Sequence, residues 1–167
     1  LGGISLSVRL PGIRGNGCLR YRFAKIRARD VIDLWLQHLA LCLNTEGNDI
    51  CESVMVGRGQ TLRLSAAADS RAALEDLLSL YRQGVEMPLA FFPESSLAYA
   101  RAIDRSEYKA LAAARSAWEG SDRRPGEGAD PYLRRCFEAS DPLGEEFARL
   151  SRRVFDPILA CATFEPA

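Results

Sequence analysis

The residues from Cys18 to Cys42, CLRYRFAKIRARDVIDLWLQHLALC, constrain the fold most. Leu19, Tyr21 and Phe23 alternate with Arg20 and Arg22, the period of two expected of a half-buried strand with its arginines on the other face. Asp30 stands where a helix N-cap is expected. After it, Val31, Leu34, Trp35, His38, Leu39 and Cys42 recur at helical spacing. Ile32, Leu36 and Leu43 fill much of the opposite side, so the helix is expected to be covered on most faces. A strand feeding such a helix is the first half of a crossover unit. Residues 51–57, CESVMVG, read as its second strand, and two strands sharing one sheet would make the crossover right-handed. Function is expected where the first strand ends and the helix begins.

The flanking segments extend this unit. Ile4, Leu6, Val8 and Leu10 alternate with Ser5, Ser7 and Arg9 as an amphipathic strand, which Pro11 and Gly12 end or bulge. Asn16-Gly17 is a hairpin signal, so residues 4–14 and 18–24 are expected to pair antiparallel. Residues 44–48 form a polar break. Gly57-Arg58-Gly59 is a turn, and residues 61–64 return beside 51–57. Beyond residue 66 the pattern is helical. Asp69 or Ser70 caps a helix that turns Leu74, Leu77, Leu78, Tyr81 and Val85 inward. Ser95 or Ser96 starts the next, and Asp104 with Glu107 fits a capping box for a third that ends near Trp118. Residues 120–130 read as a solvated loop, with Arg123 and Arg124 matched by Asp122, Glu127 and Asp130. Pro131 opens a short helix, and Asp141-Pro142 repeats the signal for a last one that reaches Phe155 before Pro157 breaks it. Ile158, Leu159 and Phe164 are expected to dock the tail.

The fold class read from this order is α/β (α+β). It comprises a small mixed sheet with a crossover helix in residues 1–66 and a mostly helical portion in 67–167. At 167 residues the chain is expected to be one domain that buries roughly two-thirds of its unfolded surface. It begins without methionine inside a strand-like segment, which reads as a fragment of a larger chain. No apolar run reaches the roughly 18 residues of a membrane span. Five cysteines without a CxxC pair fit neither a disulfide framework nor a zinc site, and read as reduced thiols of a cytoplasmic protein.

Lysine plus arginine equals aspartate plus glutamate, so net charge identifies no partner. Its distribution does more. Arg9, Arg14, Arg20, Arg22, Lys25, Arg27 and Arg29 follow one another with no acid among them. Arg20 and Arg22 on one strand face, followed by Lys25, Arg27 and Arg29, could neutralise several phosphates or meet a partner's acids. The single histidine, His38, lies on the apolar helix and reads as a satisfied interior side chain. No GxSxG or P-loop pattern occurs. One histidine and no clustered thiols argue against a transition-metal site. Magnesium-dependent hydrolysis needs carboxylates at adjacent strand ends. The hairpin offers Arg14, Asn16, Arg20 and Arg22 instead, leaving Glu52 as the single candidate acid. Phe91 and Phe92, held between Pro88 and Pro93, are too apolar for water and are expected in the core.

Several stretches in fixed order carry a resemblance. They are LRYRFAKIRARDVIDLWLQHLAL, PLAFFPESSLAYA, a helix ending AWEG, and GEGADPYLRR. Together they resemble the C-terminal domain of RecC, the gamma subunit of the exodeoxyribonuclease V helicase–nuclease, along nearly the whole chain. The resemblance implies a degenerate PD-(D/E)XK nuclease-like fold that does not cleave. Active relatives carry an acid, any residue and a lysine on the strand before the crossover helix, where this sequence has Arg20-Tyr21-Arg22. The preceding strand of a relative delivers an aspartate, where this chain offers Arg14 and Asn16. The resemblance implies RecB-like and RecD-like subunits and double-stranded or forked DNA as partners, in a bacterial cytoplasm. It implies no cofactor in this domain, with ATP and magnesium held by partner subunits. The expected binding residues are Arg14, Arg20, Arg22, Lys25, Arg27 and Arg29. A residual magnesium nuclease and a pure protein scaffold are the alternatives.

Overall fold

The computed structural model describes residues 7–14, 17–44, 51–139 and 141–166. The expected strand residues Ile4 and Leu6, the Asn16 half of the hairpin turn and most of the polar break after Asn44 lie outside them. The class is mixed α/β, with six helices, a five-stranded mixed sheet and a two-stranded sheet among the described residues. The chain divides into two compact units, residues 1–82 with 157–167, and residues 83–156.

The first unit is built on the sheet β1 (Ile13–Arg14), β2 (Gly17–Tyr21), β3 (Glu52–Gly57), β4 (Gln60–Leu64) and β7 (Ala162–Glu165), in that spatial order. β2 and β3 pair in parallel, with Cys18 opposite Ser53 and Arg20 opposite Met55. Helix α1 (Ala28–Asn44) connects them, as the crossover reading requires. The other strand pairs are antiparallel. The N-terminal hairpin is shorter than its sequence pattern. Residues 7–10 form no strand, and β1 begins only after the turn at Pro11-Gly12. Gly12 sits at φ 76°, and its carbonyl accepts from Leu19 N–H at 3.0 Å. A Cβ there would meet the Leu19 carbonyl oxygen at 2.3 Å, so only glycine fits.

β7 is the end of the tail that Ile158, Leu159 and Phe164 are expected to dock, and it adds a strand that the pattern does not indicate. Helix α6 (Glu145–Cys161) carries Pro157 in its interior and runs on to Cys161, where β7 follows and pairs with β4. A free edge of hydrogen-bonding groups on β4 is a stronger attractor than apolar docking alone. Helix α2 (Ser70–Glu86) is capped by Asp69, whose carboxylate accepts from Ala72 N–H at 2.9 Å. Leu74 and Leu80 are buried, whereas Tyr81 and Val85, expected inside, are exposed. The core of this unit gathers Val31, Leu34, Trp35 and Leu39 of α1 with Met55, Leu62 and Leu64 of the sheet.

The second unit is organised around Phe92, which is fully buried. Its ring lies 4.4 Å from Trp118, 5.2 Å from Phe137 and 6.0 Å from Phe147, centroid to centroid. Phe91 stacks on Phe155 at 5.9 Å. The core expectation therefore holds for Phe92, while Phe91 is half-buried against Phe155. Helix α3 (Pro93–Ala102) starts at Pro93 rather than at the serines, because proline tolerates the first helical position and leaves no N–H unmet. Helix α4 (Glu107–Glu119) is capped by Ser106, which accepts from Lys109 N–H at 3.2 Å, so Asp104 is not its cap.

The segment read as a solvated loop is ordered. Residues 120–125 form a hairpin of β5 (Gly120–Ser121) and β6 (Arg124–Pro125), and a 3₁₀ turn follows at Glu127–Ala129. The Glu127 carboxylate accepts from Glu94 N–H at 3.1 Å, and from Ser95 N–H and Ser95 Oγ–H, each at 2.8 Å. It thereby caps α3 from a distant part of the chain. Gly128 lies against the Trp118 indole, where a Cβ would approach ring atoms to 2.6 Å. The motifs PLAFFPES, AWEG and GEGADPYL are thus one packing unit. Asp130 caps α5 (Pro131–Phe137) by accepting from Tyr132 N–H at 2.8 Å, with Pro131 first in the helix as expected.

Candidate nucleic-acid and partner interface

The end of β2 is where the basic residues gather, but the strand presents the reverse of the expected faces. Cys18 is buried and Arg20 and Arg22 are half-buried, on the side that α1 covers. Leu19, Tyr21 and Phe23 point away from α1, and Tyr21 and Phe23 are 76% and 97% exposed. The alternation itself is real; its inward set is Cys18, Arg20 and Arg22. The register explains the inversion. Cys18 opposite Ser53 and Leu64, and Arg20 opposite Met55 and Leu62, place these residues on the sheet face that carries the buried partners. A one-residue choice of register exchanges every side chain between faces, and the period alone does not say which face is covered.

Arg22 is held by a carboxylate. Its guanidinium pairs with Asp30, and the Asp30 side chain also accepts from Arg27 N–H at 2.7 Å. α1 begins at Ala28, so Asp30 is its third residue rather than its N-cap. It reaches back to the residue before the helix, the acidic half of a capping box. The side chains of Lys25, Arg27 and Arg29 are exposed around this turn. Arg58, in the β3–β4 turn, joins them: its N–H donates to the Ala24 carbonyl at 2.9 Å, which sets the turn against residues 24–25. The sequence reading passed over Arg58 because its signal, a cation inside Gly-Arg-Gly, is that of an ordinary turn. Arg14 stands apart. It pairs with Gly17 at the other end of β2, about 13 Å of strand from Tyr21.

The outward face of the sheet joins Leu19, Tyr21, Phe23 and Val56 into an exposed apolar surface. The Tyr21 and Phe23 rings meet edge to face at 6.4 Å. Aromatic rings beside exposed cations suit stacked bases along a phosphate backbone, or an apolar protein partner with an acidic rim.

Glu52, the single acid proposed for hydrolysis, is engaged elsewhere on the sheet. Arg63 of β4 bridges it at 3.4 Å and Glu165 of β7 at 3.2 Å. These bonds, Glu165 first, raise the affinity of the Arg63 guanidinium for its proton above the ordinary value. Two carboxylates from neighbouring strands converge here on a guanidinium.

A profile of the RecC C-terminal domain matches residues 1–104. The chain belongs to the RecC C-terminal domain family. It is similar to the RecBCD enzyme subunit RecC of Escherichia coli (strain K12), 26% identical over 93% of this chain. It is likewise similar to the RecBCD enzyme subunit RecC of Buchnera aphidicola subsp. Schizaphis graminum (strain Sg), 26% identical over 90% of this chain. The chain spans about 15% of the length of these curated relatives. Among the described residues, no helix of this RecC-family chain is long and apolar enough to cross a membrane.

His38 is buried, as expected, and its ring stacks on Trp35 at 5.7 Å. The expectation of unclustered thiols does not hold: Cys42 and Cys51 both approach this ring, at 3.5 and 3.8 Å. Burial pushes the Cys51 thiol up, and its bond to Cys42 and the Cys42 charge carry it to about 12. Burial also acts on Cys42, but hydrogen bonds from His38 and Cys51, with smaller contributions from the His38 charge and the Ala67 backbone, leave it below the ordinary thiol value. The missed signal was the four-residue spacing of His38 and Cys42, which places both on one helix face.

Proposed function

We propose that this chain acts within a RecC-type subunit as a non-catalytic domain that supports duplex splitting and docks RecB-like and RecD-like helicase subunits. The observation that carries the reading is the chemistry at the end of β2. In this reading Arg20 and Arg22 stand where a cleaving relative would need an acid and a lysine, and the support for it is that Arg22 is already paired with Asp30. An arginine cannot coordinate a cation, and a guanidinium in that place repels one. Lys25, Arg27, Arg29 and Arg58 then serve as phosphate contacts, and Tyr21 and Phe23 as a surface for separated bases. ATP and magnesium belong to partner subunits in this reading.

The exposed face of Leu19, Tyr21, Phe23 and Val56 favours a second reading, in which the domain is purely a protein scaffold. One experiment separates the two. Lys25, Arg27, Arg29 and Arg58 are replaced by alanine in the full RecC-type subunit, which is then assembled with its helicase partners. Intact assembly with lost unwinding supports DNA contact; unchanged unwinding leaves the scaffold. Cleavage of linear DNA by the isolated chain with magnesium or manganese, abolished by Glu52→Ala, would overturn both.

A further inference from the structure

Three side chains that the proposed interface does not use meet beneath the sheet. His38 and Cys42 lie four residues apart on α1, and Cys51 immediately precedes β3. One ligand atom from each lies within 4.8 Å of the others. We propose that His38, Cys42 and Cys51 bind one zinc ion, which ties the C-terminal part of α1 to the entrance of β3.

The geometry has the dimensions of a thiolate–imidazole site. Zinc–sulfur bonds of about 2.3 Å and zinc–nitrogen bonds of about 2.0–2.1 Å at tetrahedral angles put sulfur about 3.6 Å from nitrogen and about 3.8 Å from sulfur. Here Cys51 Sγ lies 3.8 Å from His38 Nδ1. Cys42 Sγ approaches the same ring from its Nε2 side, at 3.5 Å, and one ligand atom from each of the three residues falls within 4.8 Å of the others. One nitrogen can ligate, and the surroundings select it. Nε2 faces the Ser65 carbonyl at 2.9 Å, and a carbonyl only accepts, so in the neutral ring Nε2 carries the proton. That leaves the Nδ1 lone pair for the ion. A ring N–H donating to a backbone carbonyl is the usual way a protein fixes the tautomer of a ligating histidine. Ser53 Oγ, now 3.0 Å from Nδ1, stands at the edge of the same space.

The ligand set fits the ion. Two sulfurs and one imidazole are soft to borderline donors, which select zinc over magnesium or calcium. Three protein ligands leave a fourth position for solvent. Cys42, only half-buried, gives the ion a way in, while His38 at 0% and Cys51 at 3% exposure hold it away from bulk water.

Cobalt reads this site directly, since a tetrahedral thiolate complex shows intense visible ligand-field bands and a near-ultraviolet sulfur-to-metal charge-transfer band. The full chain, reduced and stripped of metal, is titrated with cobalt and then with zinc. The expected result is one equivalent of cobalt with both sets of bands, bleached by one equivalent of zinc. The bands are lost in Cys42→Ser and in Cys51→Ser, and kept in Cys136→Ser, whose thiol is exposed on α5. Wild-type chain with titratable free thiols but no charge-transfer band would overturn the proposal. So would bands that survive in both serine variants, or a Cys42–Cys51 disulfide that re-forms in preference to metal uptake.

Discussion

The cation cluster at the end of β2 makes a quantitative prediction about salt. Lys25, Arg27, Arg29 and Arg58 have exposed side chains around one turn, and Arg22 is neutralised by Asp30. If the four exposed cations each displace one condensed counterion from duplex DNA, log K falls with log salt at a slope of about −3.6. Raising salt fourfold, from about 50 to about 200 mM, then weakens binding ~150-fold. Replacing Lys25 and Arg27 with alanine halves the slope to about −1.8, and the same salt step costs only ~12-fold. Arg14→Ala is the internal control. It lies at the far end of β2, and its loss should leave the slope within about 0.3 of wild type. The assay is fluorescence anisotropy of a forked oligonucleotide across a salt series. A wild-type slope shallower than about −1, or a double variant with an unchanged slope, would refute the phosphate role of this turn. A strong effect of Arg14→Ala alone would move the contact to the other end of the strand.

Other consequences are local. Phe92→Ala removes a fully buried ring from between Trp118, Phe137 and Phe147 and should cost about 3–5 kcal/mol in urea denaturation followed by tryptophan fluorescence. Glu127→Ala strips the three hydrogen bonds that cap α3 and should cost about 1–2 kcal/mol, with Glu127→Gln recovering part of it. Asp30→Ala removes both the tie to Arg22 and the acceptor for Arg27 N–H. The pair is partly solvent-exposed, so the loss should be only about 1 kcal/mol, while the freed Arg22 charge steepens the DNA salt slope by up to about 0.9.

The crossover unit was legible because its signals are local. The strand period at 18–23, the apolar helix after it and the strand at 51–57 each sit within one stretch, and each appears in the sheet or beside it. What failed depended on distant partners. The choice between the Leu19–Tyr21–Phe23 face and the Cys18–Arg20–Arg22 face is made by register with Ser53 and Met55, residues more than thirty positions away. β7 was invisible because ATFE is too short to announce a strand and needs the edge of β4 to become one. The role of Glu127 at α3, and the meeting of Cys51 with His38 and Cys42, likewise come from tertiary closure. The arginines were found from charge alone. That Asp30 consumes one of them was hidden because the same aspartate also carried a helix-start signal.

The Arg63 bridge bears on the proposal that this sheet does not cut. In a metal nuclease, carboxylates from neighbouring strands are held together by a divalent ion, which offsets their repulsion, polarises the phosphate and lowers the pKa of bound water. Glu52 of β3 and Glu165 of β7 also come from strands on either side of one neighbour, β4. The positive charge between them is the Arg63 guanidinium, bonded to both. A guanidinium can offset the repulsion, but it has no vacant orbital to accept an oxygen and does not acidify water. With all three side chains near half exposure, each bond is worth about 0–1 kcal/mol. The bridge therefore adds little stability, yet it ties β3, β4 and β7 together across their outer face. This supports a domain that braces and grips, with its contacts to DNA or protein made at the turn after β2 rather than at a metal between acids.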